Sequence, residues 1–161
     1  SALKSFPGEA ESLNHLNGRQ KENIFRMNPI PFNSQKDLPP VVFDTKTCRL
    51  ASELKQLGIP WQPHVGCFVW DPDEHIKAES PFPHRIYFIL SLPRFIDIFG
   101  SIEAIAEKLI WLPTWHQARL LCQQLGVPDS DVANIWQSQI PPSAGDELMQ
   151  IYELLIAALI A

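Results

Sequence analysis

The sequence is short of glycine, of sulfur and of long apolar runs, and each shortage excludes something. Seven glycines in 161 residues form no Gly-rich loop for phosphates, and neither a Gly-x-Ser-x-Gly elbow nor a His-Glu-x-x-His pair is present. Three cysteines, Cys48, Cys67 and Cys122, are an odd count without framework spacing. That fits free thiols in a reducing compartment, and a cytoplasmic location is expected. The longest apolar stretch, residues 154–161, is far short of the roughly 20 residues a membrane span requires. No basic segment followed by an apolar run marks a signal peptide, so a soluble protein is expected. Basic residues are outnumbered too: 13 Lys and Arg stand against 18 Asp and Glu, a net charge of -5. Such a balance gives no general attraction to phosphate backbones and disfavours nucleic-acid binding.

What remains is ample material for a core. The apolar share is 45%, with five tryptophans, and the charged share of 19% is too modest for a disordered polyelectrolyte. Residues 1–38 scatter Leu13, Leu16, Ile24, Phe25 and Phe32 among polar clusters and prolines without a sustained period. They read as a polar N-terminal arm, disordered or packed over the core. Residues 39–161 read as a single domain.

Within that domain Val41-Val42-Phe43 is a β-prone run, followed by a helix that Asp44 or Thr45 can cap. Thr47, Leu50, Ala51, Leu54 and Leu57 form its apolar stripe, and Gly58 with Pro60 ends it. A strand at 64–70 has apolar residues on both faces and should be interior. A second strand, 85–92, alternates Ile86, Phe88, Leu90 and Leu92 against Arg85, Tyr87, Ile89 and Ser91. After a turn or short helix ending at Gly100, Ser101 caps a helix with Ile102, Ile105, Ala106, Leu109 and Ile110 on one face. Thr114 and Gln117 make a capping box for the next helix, which Gly126 and Pro128 end. A short helix near 129–137 and a final one over about 144–160 complete the chain. The last is apolar on more than one face, as a core helix or half of a homodimer contact would be, and the core is the favoured reading. Leu57-Gly58-Ile59-Pro60 and Leu125-Gly126-Val127-Pro128 look alike because both end helices.

The segment 71–83, with three prolines and four acidic residues, is the first place to look for function, because long ordered loops carry function more often than short ones. His64, Cys67, His75 and His84 with Asp71, Asp73 and Glu74 are metal-ligand types. On a strand, however, His64 and Cys67 point to opposite faces, which leaves His75, His84 and Asp73 as the metal candidates. No calcium loop fits, since Ile76 and Phe82 stand where an EF-hand needs Gly and Glu. Cys48, in the first turn of a helix, could have a depressed thiol pKa, but nothing places a base beside it. Trp61, Trp70, Trp111, Trp115 and Trp136 could line a pocket, or simply fill the core. Arg85 and Arg94 flank the second strand where they could hold an anion.

The order "ASELKQLGIPWQPHVGCFVW", "RIYFIL" and "LIWLPTWHQARLLCQQLG" before a closing apolar helix resembles small uncharacterised bacterial and phage proteins over roughly residues 40–160. The resemblance implies an α+β plan and brings no activity or site residues with it.

The fold expected is α+β: a small, at least partly antiparallel sheet of about three or four strands packed with four or five helices. The leading functional expectation is a non-catalytic interaction or accessory protein with a protein partner, a homodimer through the C-terminal helix being one form. The alternative is a small-molecule-binding protein or enzyme with a site near 71–85, using His75, His84, Arg85 and Arg94. No cofactor is implied, and no membrane association.

Overall fold

The structure, a computed structural model, describes residues 33, 35–39, 44–137, 140 and 142–161. Most of the N-terminal arm and the Val41–Phe43 strand expectation lie outside the described residues. Within them the architecture is α+β, with six α-helices and one three-stranded antiparallel sheet. In chain order the elements are α1 (Thr45–Gln56), β1 (Phe68–Trp70), β2 (Ile86–Phe88), α2 (Leu92–Phe99), α3 (Ile102–Lys108), β3 (Ile110–Leu112), α4 (Trp115–Gln124), α5 (Asp129–Asn134) and α6 (Ala144–Ile160). Short 3-10 turns occupy Pro83–Arg85 and Ile135–Gln137.

β1 is the central strand, pairing Phe68 with Phe88 on one side and with Leu112 on the other. This interior position matches its two apolar faces. Cys67 and Val69 are fully buried, while Phe68 and Trp70 are half-buried. The strand is shorter than the apolar run that announces it: His64–Gly66 forms a turn, and Val65 is exposed. β2 likewise stops at Phe88, so the alternation expected over 85–92 breaks. Ile86 and Ile89 are buried, Leu90 is 75% exposed, and Leu92 already begins α2.

The helix ends follow local chemistry. Asp44 Oδ1 accepts from the Thr47 backbone N–H at 2.8 Å and caps α1, and Ser101 Oγ accepts from Ala104 N–H at 3.1 Å to cap α3. Thr114 and Gln117 form the expected capping box on α4, and Ser143 with Asp146 forms one on α6. Gly58 and Gly126 take positive φ angles of 82° and 72°. The residue after each donates to a carbonyl five positions back, Ile59 to Leu54 and Val127 to Cys122. These paired bonds close the last turns of α1 and α4 in the same way, which accounts for the recurring Leu-Gly-x-Pro.

One boundary is corrected by the structure. The helical stripe through Ile110, with Pro113 as the break, suggests that α3 continues up to Pro113, but the backbone turns extended at Leu109, with φ -99° and ψ 156°. Ile110, Trp111 and Leu112 then form β3. A three-residue apolar run ending at Pro113 fits either period, and pairing with β1 decides it.

α6 packs against α1 and α4, and α1 also covers β3. Leu148, Met149, Ile151, Tyr152, Leu155 and Ile156 of α6 are all buried. Each such side chain stabilises the fold by about 1.5–3 kcal/mol relative to exposure. The Tyr152 hydroxyl donates to the Pro113 carbonyl, tying α6 to the segment after β3. The favoured core reading of this helix therefore stands. Its apolar surplus is taken up by the chain's own interior and needs no homodimer contact to explain it; Ile160, at the end, is the one large apolar residue of α6 that is exposed. No described helix is long and apolar enough to cross a membrane.

Candidate functional site

The 71–85 segment begins where β1 ends and closes where β2 begins. Because Trp70 pairs with Ile86, antiparallel register puts Asp71 directly opposite Arg85. The Asp71 N–H donates to the Arg85 carbonyl at 3.1 Å, and Arg85 Nε donates back to the Asp71 carbonyl at 3.3 Å. The Asp71 side chain is completely buried. Its Oδ2 accepts from Arg85 Nη2 at 2.9 Å and from the Ile76 N–H at 2.8 Å. Its Oδ1 accepts from the His75 N–H and from His75 Nδ1, both at 3.1 Å. Arg85 Nη2 also donates to the Ile76 carbonyl at 2.6 Å.

Four donors on two oxygens is what a buried carboxylate needs to remain charged. Burial alone would raise the pKa of Asp71. The hydrogen bonds from Ile76, Arg85 and His75 outweigh it and hold the carboxyl below the usual range. The Asp71 hydrogen bond in turn raises Arg85 above its ordinary value. Further bonds pin the segment: the Tyr87 hydroxyl donates to the Ala78 carbonyl at 2.7 Å, and Ser80 Oγ donates to the Ile86 carbonyl. The Arg85 guanidinium lies 5.6 Å from the centroid of the Tyr87 ring. Glu74, His84 and Arg85 adopt positive φ angles of 57°, 61° and 60°. Such left-handed residues are uncommon outside glycine and persist only where surrounding bonds hold them.

Two pockets flank Pro72. One, of about 250 Å³, is lined by Thr45, Cys48, Trp70, Asp71, His84 and Arg85 in addition to Pro72. The other, of about 460 Å³, includes Ser52, Lys55, Asp73, His75 and Glu107. The structure thus divides the residues expected near the loop. His75 and Arg85 are joined through Asp71, Asp73 accompanies His75, and His84 lies in the separate pocket. Arg94 is exposed on α2 and lines neither. Arg85 donates to the Asp71 carboxylate. Among the described residues, no group of three His, Cys, Asp or Glu side chains is placed to hold a metal ion.

Comparison with known proteins finds no matching family model, curated protein or solved structure.

The geometry alone therefore carries the functional reading. Cys48 is not an activated thiol: burial, followed by the charge of Asp44, pushes its pKa up to about 12. Cys67 and Cys122 are also free and buried. Lys55 Nζ donates to the carbonyls of Glu107 and Leu109, capping the end of α3. Burial lowers its pKa, with Glu107 and Asp73 opposing.

A third pocket, of about 270 Å³, lies between the segment after α1 and the helix α4, with Trp61 and Trp111 in its wall. The two indoles stack at 5.9 Å between centroids and 8° between planes. Of the five tryptophans weighed as a pocket, only these two come together in this way. Trp70 lines the small pocket beside Asp71, whereas Trp115 and Trp136 are over 40% exposed. The Trp61–Trp111 pair is invisible in sequence because Trp111 reads as helical until β3 is recognised.

Proposed function

We propose that this chain is a non-catalytic interaction or accessory protein working in a reducing cytoplasm. The observation that carries the reading is the saturation of Asp71. All four of its acceptor directions are taken by groups of its own hairpin. The most elaborate polar cluster therefore serves to hold a long loop in one shape, and charge available for turnover is not what it offers. A fixed loop loses little conformational freedom when it docks, which favours recognition.

Exposed apolar residues at the end of the β1–β2 hairpin opposite the loop support a protein partner. Gly66 N–H donates to the Ile89 carbonyl at 2.9 Å, so the turn bearing Val65 adjoins the end of β2 bearing Leu90. These two are 55% and 75% exposed. A photo-crosslinking amino acid at Leu90, introduced in cells that make the protein, tests the reading against the same probe at exposed Gln123. The expected result is a discrete heavier adduct from Leu90 alone. Identical, diffuse labelling from both positions would count against it.

A second reading, a small-molecule-binding protein or enzyme, is favoured by one observation. His75 has its Nδ1 fixed by a buried carboxylate and lines a pocket of about 460 Å³. A thermal-shift screen of metal ions and metabolites separates the two. A stabilising compound whose effect disappears in His75→Ala or His84→Ala would favour the second.

A further inference from the structure

We propose that the Val65–Leu90 end of the hairpin, together with the outer face of α2, docks an apolar segment of a partner protein that carries an Asp or Glu, with Arg94 as the counter-charge. This inference rests on the interaction reading above and gives its partner a chemistry. The first observation is a line of exposed side chains. Beyond Val65 and Leu90, Ile98 is a third exposed apolar residue, at 50%. Arg94, also exposed, lies four residues from both Leu90 and Ile98. On α2 that spacing puts Arg94 and Ile98 on one face, while Phe95, Ile96 and Phe99 pack against the core. Leu90 is within roughly 14 Å of Arg94 even if the chain between them were fully extended, so a partner segment of a few residues spans both.

The second observation is the charge at this end of the molecule. Acids outnumber bases over the whole chain, 18 to 13, yet residues 57–70 and 80–96 contain no Asp or Glu. Their only Lys or Arg residues are Arg85 and Arg94, and Arg85 is held by Asp71 at the opposite end of the hairpin. Arg94 makes no ion pair or hydrogen bond among the described residues. Asp97 shares α2 with it, but no ion pair closes between the two. The guanidinium therefore keeps free the planar fork of donors that matches a carboxylate.

The two observations divide the work of recognition. Covering Leu90, Val65 and Ile98 drives association, because apolar area leaves water. The charge selects the partner and speeds its arrival. A segment with Lys or Arg at that point would set like charges together, and a wholly apolar one would strip water from the guanidinium without replacing it. An acidic side chain among apolar neighbours meets both demands.

The test places benzoylphenylalanine at Leu90 of the full chain in cells that make the protein, with Arg94 native or changed to Lys or Glu. The joined peptides are then sequenced by mass spectrometry. The expected result is one partner segment with Asp or Glu within a few residues of the joined position. Arg94→Glu should lower the adduct yield about ten-fold and Arg94→Lys much less, because only the first sets like charges together. Changing the partner's acid to Lys should restore the yield with Arg94→Glu. Arg94 is exposed and makes no ion pair or hydrogen bond among the described residues, so both variants should melt like the native chain. A yield unaffected by Arg94→Glu, or a joined segment without an acid, would overturn the inference and leave the interaction reading standing. An adduct with a second copy of this chain would overturn the choice of partner. No adduct at Leu90 would remove both the inference and the reading beneath it.

Discussion

Asp71 and Arg85 meet at 2.9 Å across the first pair of positions beyond the β1–β2 ladder, with the carboxylate wholly buried and the guanidinium about one-third exposed. Their pairing closes a hairpin loop whose other bonds converge on the same carboxylate.

Removing that carboxylate should therefore loosen the whole segment. Asp71→Ala leaves the N–H groups of His75 and Ile76 and the Arg85 guanidinium without their shared acceptor, and a loss of about 3 kcal/mol is expected. Arg85→Ala should cost less, since His75 and Ile76 still donate to the carboxylate. Urea unfolding of both variants measures the order, and amide exchange over 72–84 should quicken more in Asp71→Ala.

The same group makes stability depend on acid. The folded-state pKa of Asp71 lies below its unfolded value, so its contribution is complete above the unfolded pKa, about 3.9. It is lost as pH falls through the lower folded value. Melting temperatures of the native chain and of Asp71→Asn should differ by a steady amount from neutrality down to about pH 4 and converge as pH falls further. A gap that stayed the same well below about pH 4 would contradict the assignment.

Thiol accessibility provides a separate check on the core. With Cys48, Cys67 and Cys122 all buried and Cys48 held at about 12, the folded protein should react with Ellman's reagent at pH 8 only at the rate of unfolding. All three thiols should titrate at once in concentrated guanidinium. Fast reaction of Cys48 in the folded state would revive it as a nucleophile.

The two helix stops make a backbone prediction. A Cβ at Gly58 or Gly126 would meet nothing within 4 Å, so the cost of substitution is conformational alone. Gly126→Ala should destabilise by about 1–2 kcal/mol, the penalty for an L-residue in the left-handed region. Gly126→Asn should lose less, because Asn tolerates that region. Equal losses in thermal unfolding would point to packing instead.

Much of the helical architecture was legible in the sequence because its signals are local. Ser101, Thr114 with Gln117, Gly58 and Gly126 act within a turn of their own positions, and each does what its chemistry implies. The α6 stripe was legible for a different reason, since six large side chains on one helix need a core around them. The site was only half legible. Histidine, arginine and carboxylate in one loop could be seen, but not which of them meet. His84 and His75 fall in different pockets, Arg94 stands apart, and Asp71 looked like one acid among four until the ladder set it opposite Arg85.

By itself the chain composition and patterning settled the α+β class, the helix caps and stops, and which strand would be interior. These depend on neighbours within a few residues or on simple burial of apolar area. Tertiary structure alone decided that 110–112 would be a strand, that Asp71 would take four donors, and that Trp61 would stack on Trp111. Each of those requires register between segments at least a hairpin apart, and a pairing energy shared between distant residues leaves no mark on either segment read alone.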